Sequence, residues 1–286
     1  MPDRIIYLNG EYLPASAASV SVMDRGFLFG DGVYEVIPVF GDRLLRIDEH
    51  LQRLQHSLDR VSMPNPKSAD EWKAVFENLL AKNPGADRGV YLQITRGAAD
   101  YRDLAPPPDL RPTVCMMVSQ LSPVDPQQLE KGIDAITVDD FRWHACDIKS
   151  ISLIANVMMR IQASSAGVVD AILVRHGQAT EGTASNVFVV KNGVLATPPK
   201  SHHLLPGITR DLVIELAENN GIDCVVRDID RHELETADEI WLTSSTREIV
   251  PVVRLNGSAV GGGRAGVVWK RMITIYQQFK QELRDG

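Results

Sequence analysis

A two-domain α/β (α+β) fold is what this sequence predicts. Its 286 residues suit one large or two modest domains. Segments of helical period alternate with short apolar runs of strand period. A polar, proline-containing stretch, Ser119 to Pro126, separates two halves that each contain both kinds of segment. The expected division is a smaller N-terminal α/β domain over residues 1-120 and a larger C-terminal α/β domain over 121-286 that carries Lys149.

In the first half, Leu51, Leu54, Leu58 and Val61 recur at helical spacing, which predicts a helix within Leu44 to Val61 that starts after Asp48 and sets Arg53 beside the apolar stripe. Ser68 and Glu71 have the spacing of a capping box ahead of Trp72, Val75, Phe76, Leu79 and Leu80, and Pro84-Gly85 ends that helix. Val90 to Thr95 alternates as a half-buried strand does, and Thr113 to Val118 is a second short apolar run. The proline-rich stretch between them, Asp100 to Pro108, reads as a long loop of the kind that carries binding residues.

In the second half, Ile133 to Val138, Ala171 to Val174 and Val187 to Val190 read as strands, the last turning through Asn192-Gly193 into Val194 to Ala196. Helices are expected over Ile151 to Ser165, Thr209 to Asn220 and Ala265 to Leu283, with further strands at Cys224 to Arg227 and Glu239 to Leu242. The pattern is mixed and mostly antiparallel.

Composition narrows the function. A net charge of −7 with scattered basic residues leaves no footprint for nucleic acid. No apolar run approaches the roughly 20 residues that span a bilayer, and Met1-Pro2-Asp3-Arg4-Ile5 lacks a signal peptide's apolar core, so a cytoplasmic protein with no membrane partner is expected. Three cysteines without CxxC spacing disfavour a disulfide framework. His202-His203, taken with His144 or His176, has no carboxylate or cysteine at metal-ligand spacing, so no metal is expected.

Three features in chain order carry chemistry. Lys149, in Cys146-Asp147-Ile148-Lys149-Ser150, offers an amine that partial desolvation makes more nucleophilic. Glu181 stands in a turn rich in threonine, serine, glycine and asparagine, whose donors can hold a carboxylate ionised. Leu205-Pro206-Gly207-Ile208-Thr209-Arg210 opens a helix whose free N–H groups make an anion site, and Thr243-Ser244-Ser245-Thr246 offers a second set of donors. Together they supply what a pyridoxal 5'-phosphate enzyme needs: an amine for the aldehyde, a carboxylate for the pyridine nitrogen and a cradle for the phosphate.

Asp24-Arg25-Gly26-Phe27-Leu28-Phe29-Gly30-Asp31-Gly32-Val33-Tyr34-Glu35-Val36 closely resembles the N-terminal signature of D-amino acid transaminases. Ile47 to Leu54, Asp147 to Ser150, Thr180-Glu181-Gly182 and Gly207 to Asp211 resemble the same family's motifs, in order, over about Tyr7 to Tyr276. The wider group is the fold type IV pyridoxal phosphate enzymes, which also holds branched-chain aminotransferases and aminodeoxychorismate lyases. The resemblance implies a homodimer that exchanges the amino group of a D-amino acid, D-alanine above all, with a 2-oxo acid such as 2-oxoglutarate. A branched-chain L-amino acid transaminase and a lyase of the aminodeoxychorismate type are the alternatives.

By the same resemblance Lys149 is the Schiff-base lysine and acid–base, Glu181 pairs with the pyridine nitrogen, and Arg142 lies near the cofactor's phenolic oxygen or Glu181. Arg53, Ile208, Thr209 and Ser245 hold the phosphate with Ser244 and Thr246 nearby, while Tyr34 and Val36 line the substrate side. Arg102 is the candidate clamp for the substrate carboxylate. It stands one residue later than the family's arginine, and Leu104 replaces the family's histidine.

Overall fold

A computed structural model describes residues 4–121 and 126–285, with the side chains of 126–128 excepted. Contacts divide the chain into two units, Met1–Ser122 with Ile148–Leu153, and Pro123–Asp147 with Ile154–Asp285. The lysine segment therefore belongs to the first unit. The sequence reading grouped Lys149 with the C-terminal half instead. Part of the expected linker, residues 122–125, lies outside the described residues.

The first unit contains β1 (Ile5–Leu8), β2 (Glu11–Pro14), α1 (Arg25–Phe29), β3 (Gly32–Phe40), β4 (Arg43–Leu44), α2 (Ile47–Arg60), α3 (Ala69–Lys82), β5 (Asp87–Thr95) and β6 (Thr113–Gln120). Its strands form one antiparallel sheet in the order β2-β1-β6-β5-β3-β4. Alternation along β5 sends Val90, Leu92 and Ile94 into the core, while Tyr91 and Gln93 stay half-buried on the other face. Helix α2 buries Leu51, Leu54 and Leu58 as its spacing predicts. Its N-cap is Arg46 in a left-handed conformation, however, so Asp48 falls inside the first turn, where its charge suits the helix dipole. Helix α3 starts with the expected capping box, Ser68 and Glu71 each bonding the other's backbone.

The second unit contains α4 (Pro126–Lys131), β7 (Ile133–Asp139), α5 (Ile154–Ser165), β8 (Asp170–Arg175), β9 (Gln178–Gly182), β10 (Asn186–Lys191), β11 (Val194–Thr197), α6 (Ile208–Asn219), β12 (Cys224–Val226), α7 (Arg231–Thr236), β13 (Glu239–Ser244), β14 (Glu248–Leu255), β15 (Ser258–Ala259) and α8 (Val267–Asp285). The sheet order is β12-β11-β10-β13-β14-β7-β8-β9, with β15 beside β14. Parallel pairs at β11–β12, β14–β7 and β7–β8 interrupt an otherwise antiparallel arrangement. The β10–β11 turn has Asn192 and Gly193 both at positive φ, 51° and 80°, the requirement of the type I′ hairpin read from Asn-Gly. Val187, Val189, Ile240, Leu242 and Val252 meet in a continuous core, and Met159 and Ala163 of α5 seal a smaller one over β7 and β8.

Two expectations fail here for the same reason. Helix α5 starts at Ile154 and not at Ile151, because the preceding residues pair with β3: Ser150 bridges Val33, and the Ile151 amide donates to Gly32 O at 3.1 Å. Glu181 is in strand β9, antiparallel to β8, and not in a turn. Backbone partners distant in sequence set both conformations, and local composition does not reveal them.

Candidate active site

Lys149 is fixed by its backbone. Its carbonyl accepts from the Tyr34 amide at 2.9 Å, and its own amide donates to Ser57 Oγ at 3.1 Å. The segment can lie this close to β3 because residue 32 is glycine; a Cβ there would stand 2.9 Å from Ile151 Cδ1 and 2.7 Å from Ile94 O. The half-buried Lys149 sends its Nζ over the Tyr34 ring, 4.2 Å from the centroid. Tyr34 and Val36 alternate onto one half-exposed face of β3, while Glu35 points to the buried side.

Glu35 anchors a buried cluster. Arg53 grips it bidentately, Nε to Oε1 at 2.8 Å and Nη2 to Oε2 at 2.7 Å, and His50 Nδ1 lies 2.8 Å from Oε2. Burial opposes ionisation of Glu35, but the charge and hydrogen bonds of Arg53, with the His50 hydrogen bond, hold its carboxyl far below the ordinary range. Burial pushes the His50 imidazole down, against the pull of Glu35. Arg53 is thus oriented on this carboxylate, a partner that the sequence reading did not supply.

Arg102 is exposed, its guanidinium 4.8 Å from the Phe29 ring centroid. Its loop is tied down by Arg25, which is 4% exposed and donates to the carbonyls of Asp103 at 2.6 Å and Leu104 at 2.8 Å. Arg25 is held in turn by Asp31 at 2.8 Å, an acid that it shares with Arg96. So the Asp24 to Asp31 motif acts here as the anchor of the Arg102 loop.

In the second unit Glu181 is buried, and both its oxygens are engaged. Arg142 Nη1 donates to Oε1, and the Leu205 amide donates to Oε2 at 3.0 Å. Burial pushes the Glu181 carboxyl up, against the charge and hydrogen bonds of Arg142 and the Leu205 amide. Arg142 therefore lies at Glu181, one of the two places that the resemblance left open for it.

Helix α6 opens at Gly207 without a side-chain cap, and Ile208 and Thr209 in its first turn are buried. Glycine is required at 207, because a Cβ would stand 1.8 Å from Asn186 Oδ1, whose amide nitrogen donates to Leu205 O at 2.9 Å. Asn186 is opposite Thr243 in the β10–β13 register. Past Thr243, the half-buried Ser244 accepts at its hydroxyl from the Arg247 amide at 3.3 Å, Ser245 is half-buried, and Thr246 is exposed. Asp170 joins this turn to the one after β9 through Arg247 at 3.0 Å and Thr183 Oγ1 at 2.6 Å.

The residues expected to act thus fall into two groups: Lys149, Tyr34, Val36, Arg53 and Arg102 in the first unit, and Arg142, Glu181, Ile208, Thr209, Ser244, Ser245 and Thr246 in the second. The sequence reading missed the buried carboxylates Asp140 and Asp170, and Arg175, which binds Asp140. Asp140 and Arg142 flank the exposed Phe141 and are both buried against each other.

The fold also gathers His144, His202 and His203, the grouping weighed from the sequence, with ligand-capable atoms within 4.8 Å of one another. Arg175 Nη1 lies 3.0 Å from His203 Nδ1 and 3.4 Å from His144 Nδ1, so a guanidinium takes those lone pairs and its charge repels a divalent ion.

Residues 32–255 match the family model described as amino-transferase class IV. The chain belongs to that family. It is 39% identical over 272 residues to a D-alanine aminotransferase of Bacillus licheniformis, with 95% of each chain covered. A D-alanine aminotransferase of Staphylococcus aureus (strain COL) is 34% identical, with 96% of this chain and 97% of that protein covered. Among solved structures, the T.th. branched-chain amino acid aminotransferase with pyridoxamine 5'-phosphate superposes with a TM-score of 0.93 at 25% identity, covering 99% of this chain and 96% of that one.

This class IV aminotransferase is a pyridoxal phosphate enzyme of the fold type IV architecture, and its residues suit the cofactor. The uncapped start of α6 suits a phosphate dianion, the arginine-paired Glu181 suits a pyridinium, and the Lys149 amine suits an aldehyde. A buried hydroxyl beside the Ser244 turn, Thr243 Oγ1, has no hydrogen-bond partner among the described residues, which also fits a polar occupant.

Proposed function

We propose that this chain transfers the amino group of D-amino acids, D-alanine in particular, to 2-oxoglutarate, giving pyruvate and D-glutamate. The observation that carries the reading is the nearly full-length similarity to relatives named D-alanine aminotransferase, 39% and 34% identical. The cofactor supplies an aldehyde that condenses with amines and a ring that takes up the electron pair released at the substrate's α-carbon. Lys149 Nζ takes the α-proton and returns it, and its carbonyl and amide contacts hold the amine in place. Glu181 holds a proton on the ring nitrogen, and the first N–H groups of α6, with Thr209, Arg53 and Ser245 and with Ser244 and Thr246 nearby, bind the phosphate. Tyr34 and Val36 line the substrate side, and Arg102 binds the substrate carboxylate.

The reading includes a homodimer. Ile154, Val157, Met158 and Ile161 form an exposed apolar stripe at helical spacing on α5, opposite the face that Met159 and Ala163 bury. Phe27, Tyr101 and Leu104 are exposed in the first unit, at 76%, 60% and 77%. Burying one such side chain contributes about 1.5–3 kcal/mol, and exposed large apolar side chains of this kind suit an association surface. A cytoplasmic location belongs to the same reading, since the thiols Cys115, Cys146 and Cys224 are unbridged and suit a reducing compartment. No helix among the described residues is long and apolar enough to cross a membrane.

A branched-chain L-amino acid transaminase is the second reading, favoured by the structural likeness to the T.th. branched-chain enzyme. The visible spectrum of the holoenzyme separates the two. D-alanine alone, without a 2-oxo acid, is expected to convert the bound cofactor to its aminated form. Conversion by L-leucine and not by D-alanine moves the assignment to the branched-chain group, and a band that no amino acid alters favours lyase chemistry.

A further inference from the structure

Among the buried charged groups of the second unit, Asp140 stands out by the number of donors that converge on it. Its side chain is fully buried. Arg142 donates its amide at 3.1 Å and Nε at 2.9 Å to Oδ1, and Nη2 at 2.8 Å to Oδ2. Arg175 Nη2 is 3.1 Å from Oδ1, and Thr180 Oγ1 donates to Oδ2 at 3.1 Å. Thr180 is the residue before Glu181.

The geometry of a guanidinium gives this convergence a consequence. Its five N–H groups lie in one plane, so a carboxylate held by Nε and Nη2 fixes the direction of Nη1. In Arg142 that remaining arm points to Glu181 Oε1, while the second Nη2 proton reaches His203 O at 3.2 Å. Without Asp140, the guanidinium is free to swing and take Glu181 by both oxygens, in competition with a ring nitrogen for the same carboxylate. Arg175 closes the other side, since Nη2 also donates to Arg142 O at 2.7 Å.

We infer that Asp140 is a positioning residue for the cofactor's ring nitrogen: it turns Arg142 so that one N–H meets Glu181 and leaves that carboxylate able to bind a second partner. The inference rests on the reading of Glu181 as the partner of the pyridine nitrogen. Asp140 touches neither substrate nor cofactor and acts through Arg142. Burial opposes its ionisation, but the hydrogen bonds and charge of Arg142 hold its carboxyl down at about 2, so it stays an anion wherever the enzyme works.

The test compares Asp140→Asn, Arg142→Lys and Glu181→Gln as holoenzymes. Three properties are read: the pH midpoint of the cofactor's visible band, retention of pyridoxal phosphate on gel filtration, and kcat and KM of the half-reaction with D-alanine. Asp140→Asn is expected to move the midpoint in the same direction as Glu181→Gln and to lower kcat about tenfold with KM unchanged within about twofold. Arg142→Lys keeps the charge but cannot be gripped as a planar fork, and is expected to behave like Asp140→Asn. If Glu181→Gln moves the midpoint and a folded Asp140→Asn does not, the inference falls and the Glu181 reading stands. If Glu181→Gln leaves the midpoint in place, both fall. Loss of cofactor or a raised KM in Asp140→Asn with an unmoved midpoint makes Asp140 merely structural. Should Asp140→Asn not fold, Arg142→Lys decides, and an unmoved midpoint there overturns the inference.

Discussion

Each unit buries one glutamate against one arginine, and the two pairs behave oppositely. Glu35 has Arg53 by a bidentate grip and His50 besides, and these partners hold its carboxyl far below the ordinary range. Glu181 receives a single arm of Arg142, whose other donors go to Asp140 and His203 O, and burial pushes its carboxyl up. The first acid is fully engaged in hydrogen bonds and anchors the buried cluster with Arg53 and His50. The second is left under-compensated, as a group must be if it is to gain from meeting a further cation. What separates the two carboxylates is how much of its arginine each one holds.

Lys149, the amine proposed to move the α-proton, gives the largest expected effect. Lys149→Ala should reduce transamination on the order of 10⁴-fold or more, because no other amine replaces its proton transfer. Steady-state assay with D-alanine and 2-oxoglutarate checks this, and turnover near the wild-type rate refutes the assignment. Next comes Glu181→Gln, with kcat expected to drop about 10²–10³-fold and KM little changed, as for loss of a preorganised charge. A kcat near the wild-type value would erase the functional half of the contrast with Glu35.

The structural half is sharpened by stability. Glu35→Gln removes the carboxylate charge that faces the buried Arg53 and His50 and is expected to cost about 3–5 kcal/mol by chemical denaturation. The two acids should also give pH dependences of opposite sign in the apoprotein. Glu35 has a folded pKa below its ordinary 4.5, so its contribution is fully present above pH 4.5 and is lost as pH falls below it. Glu181 has a folded pKa above 4.5, so its ionised form costs stability at neutral pH and that cost is relieved as pH falls toward 4.5. The stability gap between wild type and Glu35→Gln should therefore stay constant from pH 7 to about 4.5, whereas wild type should gain on Glu181→Gln across that window. Parallel gaps would mean that the two acids do not differ in the way the geometry indicates.

How legible this was in the sequence follows the range of the forces involved. Local rules located the α3 capping box, the Asn192-Gly193 hairpin and the alternation of β5, because each is decided within a few residues. Lys149, Glu181 and the start of α6 were readable as motifs. The partners that tune them were not: Glu35 and Arg53 are 18 residues apart, Arg142 and Glu181 39, and Arg175 and Asp140 are strand-end neighbours only after β7 and β8 pair. The start of α5 was misread for a related reason, since Ile151 follows its helical period but bonds to Gly32. Buried charges are invisible to hydrophobic patterning, which records only what leaves water and not what compensates it.

Arg102 lies outside both buried pairs, and its substitution gives the smallest expected effect. Its guanidinium is exposed and rests over Phe29, so removing it costs no buried partner. Its loop is held by Arg25 through the carbonyls of Asp103 and Leu104, contacts that Arg102→Ala leaves intact. A carboxylate grip lost from an otherwise intact loop should raise KM for D-alanine about tenfold with kcat nearly unchanged, the signature of binding shared by ground and transition states. Arg25→Ala supplies the contrast, since freeing the loop should raise KM and also increase its susceptibility to proteolysis. If Arg102→Ala leaves KM unchanged while Arg25→Ala raises it, the loop positions some other group for the carboxylate, and the clamp must be sought among its remaining residues.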